Sequence, residues 1–235
     1  ELRSPLTRIR MGLELMQGGQ PSPAFRAEIE RNITELDQLV DEILLASRLD
    51  AGAADVGTVE PVDLVGLAVE ECVRVDAELQ VGAGGADDDG AATIEVPGVS
   101  TEECARVDAL LDTGDAQHTV ELPGVARLLR RAVRNLLENA RRYSQGDITL
   151  HITRDGSTAV LRVCDLGPGV PPDQRERIFE PFYRLPGASE RAGGVGLGLA
   201  LVRSIAARHG GSVVCEGRPD GAAGACFVLR LPTTN

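Results

Sequence analysis

The sequence has no lysine and no tryptophan, and aromatic residues account for only 3% of its 235 positions. All 24 basic residues are therefore arginines, so a cationic side chain that meets a phosphate here is a guanidinium, which favours bidentate contacts. With few large rings, the core is expected to consist mainly of Leu, Val, Ile and Ala side chains. A chain of this length holds one large domain or two smaller ones.

The chain also lacks an excess of positive charge and any long apolar run. Its formal net charge of -12 argues against nucleic acid as the main partner, because phosphate backbones are bound by basic surfaces. A nucleotide suits this charge only where arginine and magnesium supply positive charge locally. There is no run long enough to span a membrane and no signal-peptide pattern. Because the chain begins with Glu1 rather than Met, we expect a piece of a longer protein, with any membrane spans in the remainder.

Cysteine is sparse, with five residues at scattered spacings. An odd number without a repeated interval predicts neither a disulfide framework nor a metal-ligand set. This usage favours a reducing compartment, and hence the cytoplasm.

Two stretches near the start carry apolar residues at alternating three- and four-residue steps, which is typical of helices that pack lengthwise. In the first, residues 1–17, Pro5 predicts a kink because it lacks a backbone donor. GGQPSP at 18–23 ends that helix, and a second one is predicted from Ala24 to Arg48. Such a hairpin leaves apolar surface uncovered, which favours a dimeric four-helix bundle over a two-helix packing element within one domain. The apolar residues are Leu2, Leu6, Ile9, Leu13 and Met16, then Ile29, Ile33, Leu36, Val40 and Ile43.

The next stretch predicts a linker followed by short elements. Residues 50–57 are small, as in a linker. Val59–Val62 predicts an edge strand, and Asp63 predicts the cap of a helix that reaches about Leu79. The Gly-rich, acidic run at 82–92 predicts a mobile loop. Further predicted elements are strands at 93–97 and 118–122, with a helix between them.

A later helix, Arg130–Tyr143, carries the clearest chemical signal. Asn135 and Asn139 are four residues apart and therefore project from the same side. Asn is a mediocre helix former, so two in mid-helix are unexpected in a purely structural helix. Paired amide oxygens, with Arg142 and Tyr143 one turn further on, suit a magnesium-bound phosphate and a flat ring. The alternative is a helix whose two Asn side chains merely face solvent.

The remainder of the chain predicts an antiparallel meander, because alternating runs are separated by GD, DG and GG turns. A helix at about 197–209 falls between the second and third strands. Helices on one face of a mixed sheet form an α+β layer sandwich. The strands are predicted at 147–153, 157–165, 211–217 and 225–231.

Three motifs accompany this sheet. DLGPG begins with Asp165 at a strand end, where a carboxylate can accept a hydrogen bond from an exocyclic amine. Gly167 and Gly169 permit the close approach of a ligand. Without further motifs, DLGPG is more often a turn than a binding site. GGVGLGLA at 193–200 leads into a helix start that suits phosphate, and a polar loop rather than a strand precedes it, which excludes a Rossmann fingerprint. ERIFEPFYR gathers aromatic residues next to Arg184. These residues could anchor a loop whose arginine reaches phosphate oxygens, or they could form a hydrophobic plug without a ligand.

Taken in this order, the motifs resemble those of sensor histidine kinases of two-component systems. NLLENARRYS, DLGPGVP, RIFEPFYR and GGVGLGLALV look like the N, first glycine, F and second glycine boxes, and ELRSPLTRIR looks like the phosphoacceptor box without its His. SPLTRIRMG and FEPFYR look similar to envelope-stress sensors of the Cpx type. The resemblance implies an α+β architecture with a helical hairpin at 1–50 in a dimeric four-helix bundle and a linker at 51–58. An α/β-sandwich ATP-binding domain of the Bergerat type would follow at 59–235, with an insertion at 81–118.

The resemblance implies roles for individual residues. Asn139, with Asn135, would hold Mg²⁺, and Asp165 would contact adenine. Arg142 takes the position of a phosphate-facing basic residue, and Tyr143 would lie against the base. The remaining nucleotide-binding residues would be Gly167, Gly169, Arg184 and, at the base of a lid over the phosphates, Gly193, Gly194, Gly196 and Gly198.

At the phosphoacceptor box, Glu1 would accept the imidazole proton of a His that stands immediately before it. Ser4 would position water to dephosphorylate the partner regulator. Because that His is absent from the printed chain, and His118, His151 and His209 lie on other segments, the chain is not expected to label itself with phosphate.

The implied function is ATP-dependent phosphorylation of a His, with transfer to an Asp in the receiver domain of a response regulator. The implied setting is a homodimer in the cytoplasmic portion of an inner-membrane sensor. A hydrolytic ATPase of the same superfamily is one alternative, but Asn135 stands where such enzymes carry a Glu that activates water, and an amide is a far weaker base. The second alternative is a non-catalytic module for dimerisation and regulator docking.

Overall fold

The computed structural model describes residues 23–51, 57–82, 92–94, 120–186 and 195–233. Several predictions lie outside the described residues. They concern the helix at 1–17 with Glu1 and Ser4, most of the acidic loop at 82–92, the helix between the strands at 93–97 and 118–122, and Gly193 and Gly194. In chain order the helices and strands are α1 (Pro23–Asp50), β1 (Glu60–Asp63), α2 (Leu64–Val75), β2 (Glu78–Gly82), β3 (Ala92–Ile94), β4 (Glu121–Gly124), α3 (Ala126–Tyr143), β5 (Thr149–Asp155), β6 (Thr158–Cys164), α4 (Gly198–Arg208), β7 (Ser212–Glu216) and β8 (Cys226–Pro232).

The helix predicted from Ala24 to Arg48 is present as α1. Along it, Ile33, Val40 and Leu44 are each nearly half exposed, whereas Leu49 in its last turn is buried in the core. This last part of α1 packs against α4, and Glu42 forms an ion pair with Arg131 of α3 at 2.8 Å. These three side chains form an exposed apolar row on α1, as expected from the apolar spacing in the sequence. Among the described helices, none combines the length and the apolar character that a membrane span requires.

The capping prediction at Asp63 is confirmed, because its side chain accepts a hydrogen bond from the backbone N–H of Val65 at 3.0 Å. The helix ends four residues earlier than predicted, however. Asp76 adopts a left-handed conformation with φ 54°, which stops α2 after Val75. The chain then forms β2, a strand that the sequence did not predict.

The main sheet has six described strands in the order β3-β2-β5-β6-β8-β7, and β1 pairs with β4 in a separate two-stranded sheet. Adjacent strands are antiparallel except for β2 and β5, which run parallel. The meander prediction is therefore wrong in one respect: β8 inserts between β6 and β7. Helix α3 packs between α2 and α4, and the three helices share one buried core with the sheet, as expected for an α+β sandwich.

The prediction that the chain lacks disulfides is wrong for one pair. Cys164 and Cys226 lie directly opposite each other on β6 and β8 and form a disulfide, although 62 positions separate them in sequence. Sequence spacing gave no sign of it because cross-strand pairing alone brings them together. Cys72 and Cys215 are free and buried, and burial raises the pKa of each thiol to about 12.

Candidate functional site

A cleft opens between α3, the loop after β6, the segment before residue 186 and the start of α4. The residues that line it include most of those predicted from the motifs. They are Asn135, Asn139, Tyr143, Asp165, Pro168, Gly169, Val170, Ile178, Tyr183, Arg184, Leu185, Gly196, Gly198, Leu199, Ala225 and Phe227. Its walls therefore combine amides, a carboxylate and glycines with an apolar floor.

The two asparagines of α3 face this cleft rather than open solvent. Asn135 is 7% exposed, and its Nδ2 donates to the backbone O of Gly198 at 3.1 Å. That bond ties α3 to the first residue of α4 and engages the amide nitrogen, which leaves the amide oxygen for another partner. Asn139, one turn later, is half-buried in the cleft wall.

The opposite side of α3 is held by an ion-pair cluster around Glu71 of α2, which is 1% exposed. Its two carboxylate oxygens accept from Nε and Nη2 of Arg134 at 2.8 and 2.9 Å, and Arg130 and Arg74 lie within ion-pair distance. Burial alone would raise the pKa of Glu71, but the hydrogen bond and charge of Arg134 and the other arginines outweigh it and lower the pKa. Arg134, the residue before Asn135, is thus fixed to α2 through Glu71.

Asp165 forms the other end of the cleft and is 3% exposed. Its Oδ1 accepts from the backbone N–H groups of Gly167 and Ala225 at 2.8 and 3.3 Å. Burial raises the pKa of Asp165, against the lowering effect of these two bonds and of the Arg218 charge. Within the described chain Oδ2 has no hydrogen-bond partner, so it can accept from a donor in the cleft.

Glycine is required at several turns around the cleft. A Cβ at Gly167 would lie 2.6 Å from the backbone O of Tyr143, so the loop and the end of α3 approach too closely for a side chain. Gly196 has φ +77°, and a Cβ there would lie 2.8 Å from the backbone O of Tyr183. Close backbone packing therefore requires glycine at these two positions. The close approach of a ligand predicted for Gly167 and Gly169 stays a prediction, and of these two only Gly169 lines the cleft.

The aromatic motif contains one short 3-10 turn, Arg177–Phe179, and a second such turn, Pro172–Gln174, lies just before the motif in the chain. Phe179 is buried against Phe227, with ring centroids 6.4 Å apart and nearly perpendicular planes. The Tyr183 hydroxyl bonds to Gln174, and the Arg177 guanidinium lies 4.5 Å from the Tyr183 ring centroid. Phe179 thus packs as a hydrophobic plug and Tyr183 supplies part of the cleft wall, whereas Phe182 is half exposed.

Two comparisons with family models decide the identity. A model described as "Histidine kinase-, DNA gyrase B-, and HSP90-like ATPase" matches residues 124–235, which contain the whole cleft. A second, "His Kinase A (phospho-acceptor) domain", matches residues 1–52. The chain belongs to the sensor histidine kinase family. The order of motifs is explained by this membership, and the fold is that of the family's ATP-binding domain.

Curated histidine kinase relatives agree along almost the entire chain. Sensor protein RstB of Escherichia coli (strain K12) is 34% identical over 227 residues, which cover 92% of this chain and 43% of the relative. Sensor histidine kinase CpxA of the same strain is 31% identical over 233 residues, covering 99% of this chain and 45% of the relative. The chain therefore spans less than half the length of these relatives. The predicted likeness to Cpx-type sensors is real, and RstB is similar at a comparable level.

Solved histidine kinase structures show the same architecture. Full-length ShkA in complex with AMPPNP superposes with a TM-score of 0.59 at 26% identity, over 99% of this chain and 44% of that one. ThkA in complex with response regulator protein TrrA gives a TM-score of 0.64 at 19% identity, over 99% of this chain and 59% of that one. The second likeness concerns the fold alone.

Not every residue predicted for this histidine kinase site reaches the cleft. Arg142 is exposed and does not line the cleft in the described structure, so its phosphate contact stays a prediction. Tyr143 and Arg184 do line it. Two residues near Asp165, Ser144 and Arg218, were missed because both act on backbone atoms of distant segments. For Ser144 the only sequence signal is its place at the end of a helix before Gly146.

Proposed function

We propose that this chain is the catalytic core of a sensor histidine kinase that binds ATP with Mg²⁺ in the cleft. The γ-phosphoryl group would pass to a His on the helical hairpin and then to an Asp in the receiver domain of a response regulator. The observation that supports this most directly is that one cleft joins the Asn135–Asn139 pair to Asp165.

The proposed orientation of ATP follows from the chemistry at the two ends. The free Oδ2 of Asp165 would accept from the exocyclic amine of adenine, with Tyr143 and the apolar floor against the base. The triphosphate would then extend towards Asn139 and the N-terminal end of α4, where Gly196 and Gly198 leave backbone N–H groups accessible. Arg184, with Gly193 and Gly194 in the adjoining segment, would contribute to the phosphate end.

The residues present fit a magnesium ion that relies mainly on the nucleotide. Among the described residues no group of three or more His, Cys, Asp or Glu side chains could hold a metal. Mg²⁺ commonly keeps several waters and binds through substrate phosphates with one or two protein oxygens, a role that the amide oxygens of Asn139 and Asn135 suit. When bound, the ion would neutralise charge on the β- and γ-phosphates during transfer.

A hydrolytic role is less well supported. Phosphoryl transfer to water needs a group that activates the water, whereas Asn135 offers only an amide, which already bonds to Gly198. We expect an external acceptor instead, with Glu1 taking the imidazole proton and Ser4 positioning water when the regulator is dephosphorylated.

The partners follow from the same proposal. The exposed apolar row of Ile33, Val40 and Leu44 would be covered in a homodimer by the helices of a second copy. The described surface would face the cytoplasm, where response regulators are found, and attachment to an inner membrane would depend on segments outside this chain.

The decisive experiment measures ATP binding by isothermal titration calorimetry with and without Mg²⁺. Wild-type protein should bind more tightly when the metal is present. Asn139→Ala should lose about 30-fold in affinity for Mg-ATP, equivalent to removing one strong polar contact of about 2 kcal/mol. Gln145→Ala, which removes an exposed amide just beyond α3, serves as the matched control and should change affinity by less than about twofold. An Asn139→Ala variant that still gains affinity when the metal is added would contradict the metal role.

A further inference from the structure

We infer that Ser144 is a positioning residue that sets the adenine specificity of this site through the backbone of Asp165. The inference rests on the proposed function, since it assumes that Asp165 contacts the exocyclic amine. Ser144 itself does not line the cleft within the described structure and is 4% exposed, so it would act without touching the nucleotide.

Ser144 is the residue at which α3 ends. Its backbone N–H still donates to the O of Ala140 at 2.9 Å, while its φ and ψ of -121° and 141° are extended. The side chain therefore leaves the helix in a direction fixed by the last helical bond. Its Oγ accepts from the N–H of Gly146 at 3.1 Å and from the N–H of Leu166 at 3.2 Å. One buried hydroxyl thus joins the end of α3 to the loop that carries Asp165.

The second of these bonds acts on the peptide group that follows Asp165. The N–H of that peptide belongs to Leu166 and donates to Ser144, while its carbonyl belongs to Asp165 and accepts from Nη1 of Arg218 at 3.3 Å. Both polar ends of one peptide plane are held, from α3 on one side and from the β7–β8 loop on the other. The orientation of this plane sets ψ of Asp165.

The other bonds of Asp165 leave little further freedom. Its N–H donates to the O of Ala225 at 2.9 Å, and its Oδ1 accepts from Gly167 and Ala225. Gly167 belongs to the same loop, so the position of Oδ1 follows the loop backbone. If the bond from Leu166 to Ser144 is lost, the peptide plane can rotate, and Oδ2 no longer points reliably at the base.

The consequence concerns specificity rather than general affinity. A nucleotide without the exocyclic amine makes no bond to Oδ2, so it gains nothing from a correctly placed carboxylate. Ser144→Ala should therefore weaken ATP binding by about fivefold to tenfold, the range expected for the loss of one hydrogen bond between neutral groups. It should leave binding of the amine-free analogue nearly unchanged.

The test compares ATP with purine riboside triphosphate, which differs from it only by lacking the exocyclic amine. Dissociation constants in Mg²⁺ are measured for wild type, Ser144→Ala, Ser144→Thr and the exposed control Ser157→Ala, with thermal unfolding to verify folding. We expect wild type and Ser157→Ala to prefer ATP, Ser144→Ala to lose most of that preference, and Ser144→Thr, which keeps the hydroxyl, to retain it.

Several results would overturn the inference. If Ser144→Ala keeps the wild-type preference for ATP, or weakens both nucleotides equally, the hydroxyl has only a structural role. If Ser144→Ala does not fold, loss of the preference in a folded Ser144→Thr variant leads to the same conclusion. Failure of the wild type to bind either nucleotide would instead count against the proposed function, so the two failures are distinguishable.

Discussion

At one end of the cleft Asp165 is buried and bound to backbone, whereas at the other end Asn139 is only half-buried. Asp165 accepts hydrogen bonds from Gly167 in its own loop and from Arg218 and Ala225 in the connection between β7 and β8, and the strand ends beside it are joined by the Cys164–Cys226 disulfide. Asn139 makes no hydrogen bond within the described structure, and its helix is held from behind by the cluster around Glu71. The end proposed for the base is thus preorganised, while the end proposed for the phosphates is left for its ligand to complete.

The difference suits the two tasks of such a site. Recognition of a flat base by one carboxylate oxygen needs a fixed acceptor, because hydrogen bonds weaken steeply with misalignment. A triphosphate with its metal ion presents several charged oxygens, so flexible partners can adjust to it. Reductant should therefore weaken the structure around the Asp165 end, and acid should destabilise the support behind Asn139.

The largest expected effect comes from reduction of the disulfide. Dithiothreitol should lower the free energy of unfolding by about 4 kcal/mol, because the crosslink closes a loop of 62 residues. Denaturant titrations with and without reductant measure the loss. Amide exchange should quicken at Gly167 and Ala225 beside the crosslink, and also at core amides such as that of Leu201, which exchange through global unfolding.

A Cys164→Ser/Cys226→Ser double variant provides the control, since it should be as unstable as the reduced protein and insensitive to reductant. The other three cysteines, Cys72, Cys104 and Cys215, remain in it, so an unchanged response to reductant would assign the effect to those thiols and contradict the role of the crosslink.

Acid should destabilise the support behind Asn139, where the cluster around Glu71 holds α3. The pKa of Glu71 is lowered in the folded protein, so its contribution is fully present above its ordinary value of 4.5 and is lost as the pH falls through the lowered value. Glu71→Gln should cost about 2 kcal/mol, less than a fully buried pair, because Arg130 and Arg134 are each about one third exposed.

Urea titrations between pH 6 and pH about 3 measure this contribution, over the range in which native carboxylates protonate. The wild type should lose more stability across that range than Glu71→Gln does. Glu70→Gln removes a neighbouring exposed carboxylate and serves as the control. Parallel curves for wild type and Glu71→Gln would exclude Glu71 as the group responsible.

The smallest expected effect is at Arg218, which holds the Asp165 carbonyl from the β7–β8 loop. Arg218→Ala should weaken ATP binding by about fivefold, as its bond is longer than that of Ser144 and the site keeps its other contacts. Arg230→Ala removes a half-exposed arginine on β8 that pairs with Glu216 and should leave binding unchanged. A fall of equal size in both variants would point to lost charge rather than a lost bond.

The sequence allowed the local elements and most cleft residues to be predicted, because these depend on nearby residues. Asp63 predicted the start of the helix that it caps, and the spacing of Asn135 and Asn139 predicted that both lie on one face of α3. The strand β2 was missed because ELQVG reads as a continuation of the helix before it, and its partner β5 lies far along the chain. The position of β8 between β6 and β7 and the disulfide were not predicted for the same reason, because both depend on partners that are distant in the sequence. Ser144 and Arg218 escaped notice because they bond to backbone atoms, which carry no residue-type signal.

The parallel pairing of β2 with β5 has a consequence for how quickly this domain acquires its native state. Glu78 is in register with Thr149, so the whole of α3 must be accommodated within the intervening loop before the two strands meet. Contacts between such distant positions impose a high contact order, which slows folding. Helix α3 can form early as a local structure, but its asparagines acquire a cleft only when the sheet has closed. Nucleotide binding should therefore report the last stage of refolding.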